Sequence, residues 1–98
     1  MILTTTNSIE GHTIQDYLGI VSGVCLNYQR PQLTFNMEKY YGSLESQLEV
    51  FKEEAFQKLV TNATNLKANA VVGISVDVES TASGATIVSI VGTAVKVI

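Results

Sequence analysis

Two segments of this chain are predicted to form strands that are apolar on both faces. In residues 13–26 and again in residues 85–98, apolar side chains occupy both alternating sets of positions, whereas a strand with one solvated face alternates apolar and polar residues. A strand of this kind needs a covering layer on each side of its sheet. Gly19 and Gly23 weaken the first strand unless they allow a β-bulge or the close approach of another backbone.

The middle of the chain is predicted to form one short and one long helix. Pro31 suits the first turn of a helix, and the apolar residues that follow it at helical spacing end at Gly42. Ser43 is a good N-cap for a second helix, which runs to Leu66 and begins with carboxylates, as the helix dipole favours. Its apolar face, which we expect to be buried, comprises Leu44, Leu48, Phe51, Ala55, Leu59, Ala63 and Leu66.

Two further strands complete a predicted α+β fold. Residues 2–6 form a short β-branched strand, and residues 70–79 alternate between apolar positions and positions that become polar. Residues 80–84 form a hairpin loop before the last strand. We therefore expect a single domain over residues 1–98, with both helices packed on one face of a mainly antiparallel sheet.

The other face of that sheet has no covering layer within so short a chain. Apolar residues make up 46% of the sequence and charged residues only 15%, where about a quarter is usual for a soluble domain. Burial against copies of the same chain is the simplest way to cover this face. We expect a homo-oligomer.

Charge and hydropathy exclude several classes of partner. The net charge is −3, and the six basic residues are scattered, whereas nucleic-acid binding needs clustered Lys and Arg. The first basic residue is Arg30, so the charged start of a signal peptide is missing. The longest uncharged run, residues 80–95, is too short and too polar for a spanning helix. We expect a cytoplasmic protein that binds neither nucleic acid nor membrane.

Five blocks of sequence, taken in order, resemble one family over almost the whole chain. They are residues 2–6 (Ile-Leu-Thr-Thr-Thr), 9–11 (Ile-Glu-Gly), 17–23 (Tyr-Leu-Gly-Ile-Val-Ser-Gly), 68–73 (Ala-Asn-Ala-Val-Val-Gly) and 92–95 (Gly-Thr-Ala-Val). This pattern is similar to that of the YbjQ family, small uncharacterised proteins that have been proposed to bind heavy metals. The resemblance implies a dodecin-like α+β subunit that assembles into a ring, with a pentamer as the specific expectation and short strands that help to join neighbours.

The sequence departs from this family at both ends of the long helix. Members often carry a Gly-Gly-Arg-Ser-like turn before the helix, but residues 41–44 read Tyr-Gly-Ser-Leu, without the arginine. Lys67 stands where many relatives have glycine, so we place the left-handed residue that ends the helix at Asn69. The resemblance supplies no set of metal ligands.

Cys25 and His12 are the candidate ligands for a soft metal or metalloid, because they are the only thiol and the only imidazole in the sequence. A structural metal site usually takes four such ligands, so a site here would need the same residues from several subunits. The alternative is that Cys25 is a buried, poorly reactive thiol and that His12 lies in a solvated turn.

Asp77 and Glu79 are candidate ligands for a harder metal ion, because they share one face of a predicted strand. Two carboxylates in this position fit an ordinary solvated strand surface equally well. Ser22 lacks the spacing of a Gly-x-Ser-x-Gly nucleophile turn, and we do not expect an enzyme.

Taken together, the residues favour a ring-forming homo-oligomer with a structural or small-ligand-binding role. No cofactor is certain. The alternative function is the binding of a heavy metal or metalloid ion at subunit interfaces.

Overall fold

The described residues fold into a four-stranded sheet with one helix packed on one face. A computed structural model describes residues 1–28, 37–82 and 84–98. The elements are β1 (Ile2–Leu3), β2 (Ile14–Tyr28), α1 (Met37–Asn65), β3 (Ala70–Ser80) and β4 (Ala85–Val97). The strand order is β1-β3-β4-β2, and this arrangement confirms the predicted α+β class.

The sheet is mixed. β4 pairs antiparallel with both β2 and β3, but β1 runs parallel to β3, with Ile2 opposite Ala70 and Leu3 opposite Val71. The prediction of a mainly antiparallel sheet did not include this parallel pairing, because a strand of two residues has too little sequence pattern to show its direction. β1 is also shorter than the strand predicted over residues 2–6.

The segment after β1 stays attached to β3 by backbone hydrogen bonds. The N–H of Thr4 donates to the carbonyl of Val71 at 3.0 Å, and the N–H groups of Gly73 and Ile74 donate to the carbonyls of Thr6 and Thr4 at 2.8 and 3.1 Å. β3 bulges at this point, and Gly73 has a φ of 62°. Glycine permits this because a side chain would disfavour a left-handed backbone.

One helix replaces the two that were predicted. α1 runs without a break through Gly42 and Ser43. A glycine inside a helix costs about 1 kcal/mol relative to alanine, which weakens the helix without ending it, and the apolar residues on both sides of Gly42 stay in one helical phase. The predicted start at Pro31 lies outside the described residues. Within the described ranges, no helix has the length and hydropathy needed to cross a membrane.

The main core lies between α1 and the sheet. Ala55, Leu59 and Ala63 are fully buried, and Leu48 and Phe51 pack partly buried against the core, so the predicted apolar face is confirmed from Leu48 to Ala63. The predicted burial of Leu66 was wrong: it is 41% exposed, because it lies beyond the end of α1 at Asn65. The side chain of Leu44 lies outside the described residues. Gly23 lets α1 lie directly on β2, because a Cβ atom there would overlap the carbonyl oxygen of Ala55 and stand 2.8 Å from the backbone nitrogen of Leu59. The buried residues of this core are Val21, Cys25, Ala55, Leu59, Ala63, Val71, Ile74, Val88, Ile90 and Ala94.

Gly19 forms a bulge in β2. The pairing of β2 with β4 shifts register between Tyr17 and Gly19, and Gly19 has a φ of 132°. Residues with a side chain rarely adopt this backbone conformation. Gly19 therefore provides the bulge, and Gly23 the close backbone approach, that the two glycines predicted.

Within residues 1–28, 37–82 and 84–98, the opposite face of the sheet is covered at one end only. There, Ile9 and Ile14 pack against the buried residues Ala70, Val72, Val95 and Val97. We call the remainder of this face, away from the turn that contains Ile9, the open face. It comprises Ile20, Ser22, Val24 and Leu26 of β2, Ile87, Ser89 and Val91 of β4, and Ser75, Asp77 and Glu79 of β3.

Lys67 is the left-handed residue that ends α1. Its φ is 64°, its N–H donates to the carbonyl of Thr64 at 2.9 Å, and the N–H of Ala68 donates to the carbonyl of Ala63 at 3.1 Å. These two bonds form a Schellman motif. The chain accepts a lysine where glycine is usual because the motif satisfies two carbonyls at the end of the helix.

The prediction that Asn69 adopts the left-handed conformation was wrong. The side-chain amide of Asn69 donates to the carbonyl oxygen of Val97 and accepts from the N–H of Val97, both at 2.8 Å. A side chain that replaces a strand partner in this way ties the start of β3 to the end of β4. Its position is set by β4 and not by the helix.

Candidate functional site

The open face carries an exposed apolar patch. Ile20 is 79% exposed, Leu26 52%, Val24 47% and Val91 42%. Val91 lies opposite Ser22 of β2 and therefore diagonally between Ile20 and Val24. Single exposed apolar residues are ordinary, but contiguous apolar surface on a protein in water marks a binding or assembly surface. The patch makes the open face the first candidate functional surface.

Asp77 and Glu79 lie at the β3 side of the open face, on the shared strand face that their spacing predicted. Both are exposed, opposite Ser89 and Ile87 of β4. Among the residues that the structure describes, no group of three or more His, Cys, Asp or Glu side chains comes together. A metal ion held by this pair would need ligands from elsewhere, such as water or another subunit.

Cys25 lies on the helix side of the sheet, within the main core. It is 5% exposed, and its Sγ donates a hydrogen bond to Oε2 of Glu54 at 3.1 Å. Burial raises the pKa of the thiol, the hydrogen bond and the negative charge of Glu54 raise it further, and the charge of Lys58 opposes them. In the single chain Cys25 is a buried thiol kept in its protonated form, which is the less nucleophilic and the less metal-binding one.

His12 and Cys25 do not come together within one chain. His12 lies in the turn before β2, where its backbone N–H donates to the carbonyl of Ile9 at 3.1 Å, and Cys25 lies near the other end of that strand. At about 3.3 Å per residue, a strand of this length separates them by roughly 40 Å. A metal site that uses both residues therefore requires at least two copies of the chain.

Two polar side chains of α1 contact the outer edge of β2. Nζ of Lys58 donates to the carbonyl oxygen of Val24 at 2.9 Å, and Nδ2 of Asn62 donates to the carbonyl oxygen of Ser22 at 2.8 Å. A shallow groove of about 450 Å³ lies between this part of the helix and the strand. These contacts satisfy backbone groups at a sheet edge that no other strand covers within the described chain.

From the sequence alone, Glu54 and Lys58 were expected to belong to a charged helix surface, and Asn62 was given no functional role. A signal was available, because Glu54, Lys58 and Asn62 recur every four residues beside the apolar face of α1. On a helix, residues with this spacing form one row. Their partners lie on β2, and nothing in the sequence indicated which strand that row would follow.

Comparison with known proteins assigns the family. The family model of YbjQ, which carries the description "Putative heavy-metal-binding", matches residues 1–98. The chain belongs to the YbjQ family. Proteins of this family with the name UPF0145 are similar throughout: one from Anoxybacillus flavithermus is 42% identical, covering 98% of this chain and 97% of the relative. Another from Geobacillus kaustophilus is 39% identical over the same shares of both chains.

A solved structure has the same fold as this chain. A crystal structure of a protein of unknown function from Pediococcus pentosaceus, of the DUF74 family, superposes with a TM-score of 0.74 at 20% sequence identity. The match covers 100% of this chain and 98% of the other. At this identity the likeness concerns the fold alone.

Proposed function

We propose that this YbjQ-family chain is the subunit of a cytoplasmic homo-oligomeric ring with a structural or small-ligand-binding role and no catalytic activity of its own. A pentamer is the specific expectation. The observation that carries the proposal is the exposed apolar patch of the open face.

The patch supports assembly because it continues a sheet face that is already buried at one end. The turn that contains Ile9 covers one end of this sheet face and buries Val95 and Val97. Part of the face is therefore already buried within the chain. Ile20 and Leu26 extend the same face into water. Covering them removes apolar area from water, which contributes about 25 cal/mol per Å².

The charge of the patch also suits contact between identical chains. Each chain has a net charge of −3, so copies repel one another through most of their surface. The four residues of the patch are uncharged, and Asp77 and Glu79 lie to one side of it on β3. An apolar contact is one that like-charged copies can make.

Light scattering of the purified full-length chain tests this proposal. We expect a mass about five times the 10.6 kDa of one chain, and a stable mass of one chain would overturn the proposal. Ile20→Lys places a charge in the patch and should lower the mass. Val50→Lys is the matched control, because Val50 is a similarly exposed apolar residue on α1, and it should leave the mass unchanged.

Heavy-metal binding is the second candidate function, favoured by the description of the family. Cys25 and His12 remain the proposed soft ligands, contributed by different subunits, and Asp77 and Glu79 the proposed hard ligands. Elemental analysis of the purified assembly tests it: stoichiometric metal that Cys25→Ala or His12→Ala removes would favour metal binding. An intact, metal-free assembly would leave the structural role.

A further inference from the structure

The outer edge of β2 has backbone groups that could pair with a further strand. Among the strands that the structure describes, β2 is the last of the sheet, and the carbonyls of Ser22 and Val24 point away from β4 toward α1. The N–H groups of these two residues point the same way, since both groups of a strand residue lie on one side of the strand. Exposed edges of this kind are templates for pairing with another chain.

Two helix side chains occupy this edge in matching register. Lys58 and Asn62 are four residues apart, which is a rise of about 6 Å along a helix. Val24 and Ser22 are two residues apart, which is about 6.7 Å along a strand. The helix runs antiparallel to β2, so each side chain meets one outward carbonyl.

The same row of the helix continues in both directions along β2. One turn earlier Glu54 accepts the hydrogen bond of Cys25. Just past the end of α1, Leu66 has its Cδ1 atom 3.9 Å from the place where a Cβ atom on Gly19 would stand. The row therefore follows β2 over the stretch that carries much of the apolar patch on its other face.

Gly23 allows Lys58 and Asn62 to reach the edge of β2. It lies between the two capped carbonyls, and its missing side chain lets the backbone of α1 approach the strand at Ala55 and Leu59. With the helix this close, the short amide side chain of Asn62 spans the gap to Ser22 at 2.8 Å. Closure of the edge thus depends on Gly23, which lies within a strand and not in a turn.

We infer that Lys58 and Asn62 close the outer edge of β2 against strand addition, so that a second copy of this chain is held through the apolar patch of the open face and not by extension of the sheet at β2. A neighbouring strand at this edge would displace both hydrogen bonds. A neighbour on the open face would keep them, because the patch and α1 lie on opposite sides of the sheet. The second copy rests on the proposed assembly; closure of the edge does not.

Amide hydrogen exchange of the native full-length protein, followed residue by residue by NMR, tests the inference. We expect the outward N–H groups of Ser22 and Val24 to exchange at least about tenfold faster than those of Gly23 and Cys25, which pair with β4. In the assembled state this difference should persist. Equal protection of all four amides would show that a strand pairs with the edge and would overturn the inference.

Removal of the two side chains gives an independent test. In Lys58→Ala/Asn62→Ala we expect a larger species than wild type by light scattering, with slow exchange at Ser22 and Val24. The matched control is Gln57→Ala/Thr61→Ala, since these residues line the same groove but hydrogen-bond within the helix, to Glu53 and to the Gln57 carbonyl. The control should keep the wild-type mass.

The outcomes separate this inference from the proposed function. A wild-type protein that stays monomeric would overturn the proposed assembly and, with it, the second copy on the open face. In that case the amide hydrogen exchange of Ser22 and Val24 still decides whether the edge is closed. A folded double variant with the wild-type mass and fast exchange at both amides would show that the edge stays unpaired without Lys58 and Asn62, which contradicts their assignment.

Discussion

The side-chain amide of Asn69 forms two hydrogen bonds with the backbone of Val97, one to its carbonyl and one from its N–H, both at 2.8 Å. Asn69 thereby acts as the strand partner of Val97 at the point where β3 has not yet begun. Its own backbone is held as well: its N–H donates to the carbonyl of Val95, and its carbonyl accepts from the N–H of Ile2, each at 3.2 Å. One residue joins β1, β3 and β4.

Asn69→Ala should lower the free energy of unfolding by about 2 kcal/mol, because it leaves the part-buried N–H and carbonyl of Val97 without their partner. Urea unfolding followed by circular dichroism measures this. Asn65→Ala is the control, since Asn65 is an exposed residue at the end of α1, and it should change stability by no more than about 0.5 kcal/mol. A similar loss in both variants would argue against the bridging role.

Gly23→Ala should destabilise the fold by about 1–3 kcal/mol, because the new methyl group meets backbone atoms of Ala55 and Leu59 that no side-chain rotation can move aside. Thermal unfolding would show the loss. Ser22→Ala is the neighbouring control, and it should be nearly neutral because the Ser22 side chain is exposed on the open face. A neutral Gly23→Ala would mean that α1 does not lie against β2 as described.

Lys67→Gly should stabilise the protein by about 0.5–1 kcal/mol. A left-handed backbone costs a residue with a side chain roughly 1–2 kcal/mol, and glycine escapes this cost but loses more entropy on folding. Chemical denaturation can resolve such a gain. Lys67→Ala keeps the strain at a φ of 64° and should give no increase; an equal gain from alanine would point to the charge and not to the backbone.

Cys25 should resist thiol reagents in the native protein at neutral pH and react readily after denaturation. Burial and the contact with Glu54 raise the pKa of the thiol above its ordinary value of 9.0, so little thiolate forms. Timed labelling with a chromogenic disulfide reagent measures this. Rapid labelling of the native protein would instead place the thiol at an open site and strengthen the metal-binding alternative.

The same raised pKa predicts how stability depends on pH. Well below 9.0 the thiol is protonated in both the folded and the unfolded chain, so its contribution to the free energy of unfolding is fully present there and does not change with pH. Above that pH the unfolded chain releases its proton first, and stability falls as the pH rises further. Cys25→Ala should remove this part of the alkaline loss, and identical alkaline profiles for both proteins would count against a buried thiol.

Residues with a local pattern were predictable from the sequence. The helical period predicted that the face of α1 from Leu48 to Ala63 is buried, and apolar residues at both alternating sets of positions predicted the two long apolar strands. The two glycines of β2 were correctly interpreted as a bulge or a close approach, because each possibility follows from the lack of a side chain. Asp77 and Glu79 share a strand face for the same local reason, a period of two.

Features that depend on a distant partner were not predictable. Lys67, and not Asn69, became the left-handed residue because Val97, 28 residues away from Asn69 along the chain, engages the asparagine side chain. One helix forms in place of two because continuation of the helix competes with the local end signals at Gly42 and Ser43 and prevails. Those local signals alone do not show which of the two outcomes is favoured. Oε2 of Glu54 lies 3.1 Å from Sγ of Cys25, a residue 29 positions away in sequence, so no local pattern indicates this contact.

Side-chain period and composition are properties of neighbouring residues, and they were enough to predict the α+β class, the two strands that are apolar on both faces and the excess of apolar surface. The position of the exposed apolar surface depends on the tertiary structure. The turn with Ile9 buries one end of the second sheet face, and the close approach of α1 at Gly23 brings Lys58 and Asn62 onto the edge of β2. Both outcomes depend on how elements distant in the chain fit against each other in space, which local sequence patterns do not encode.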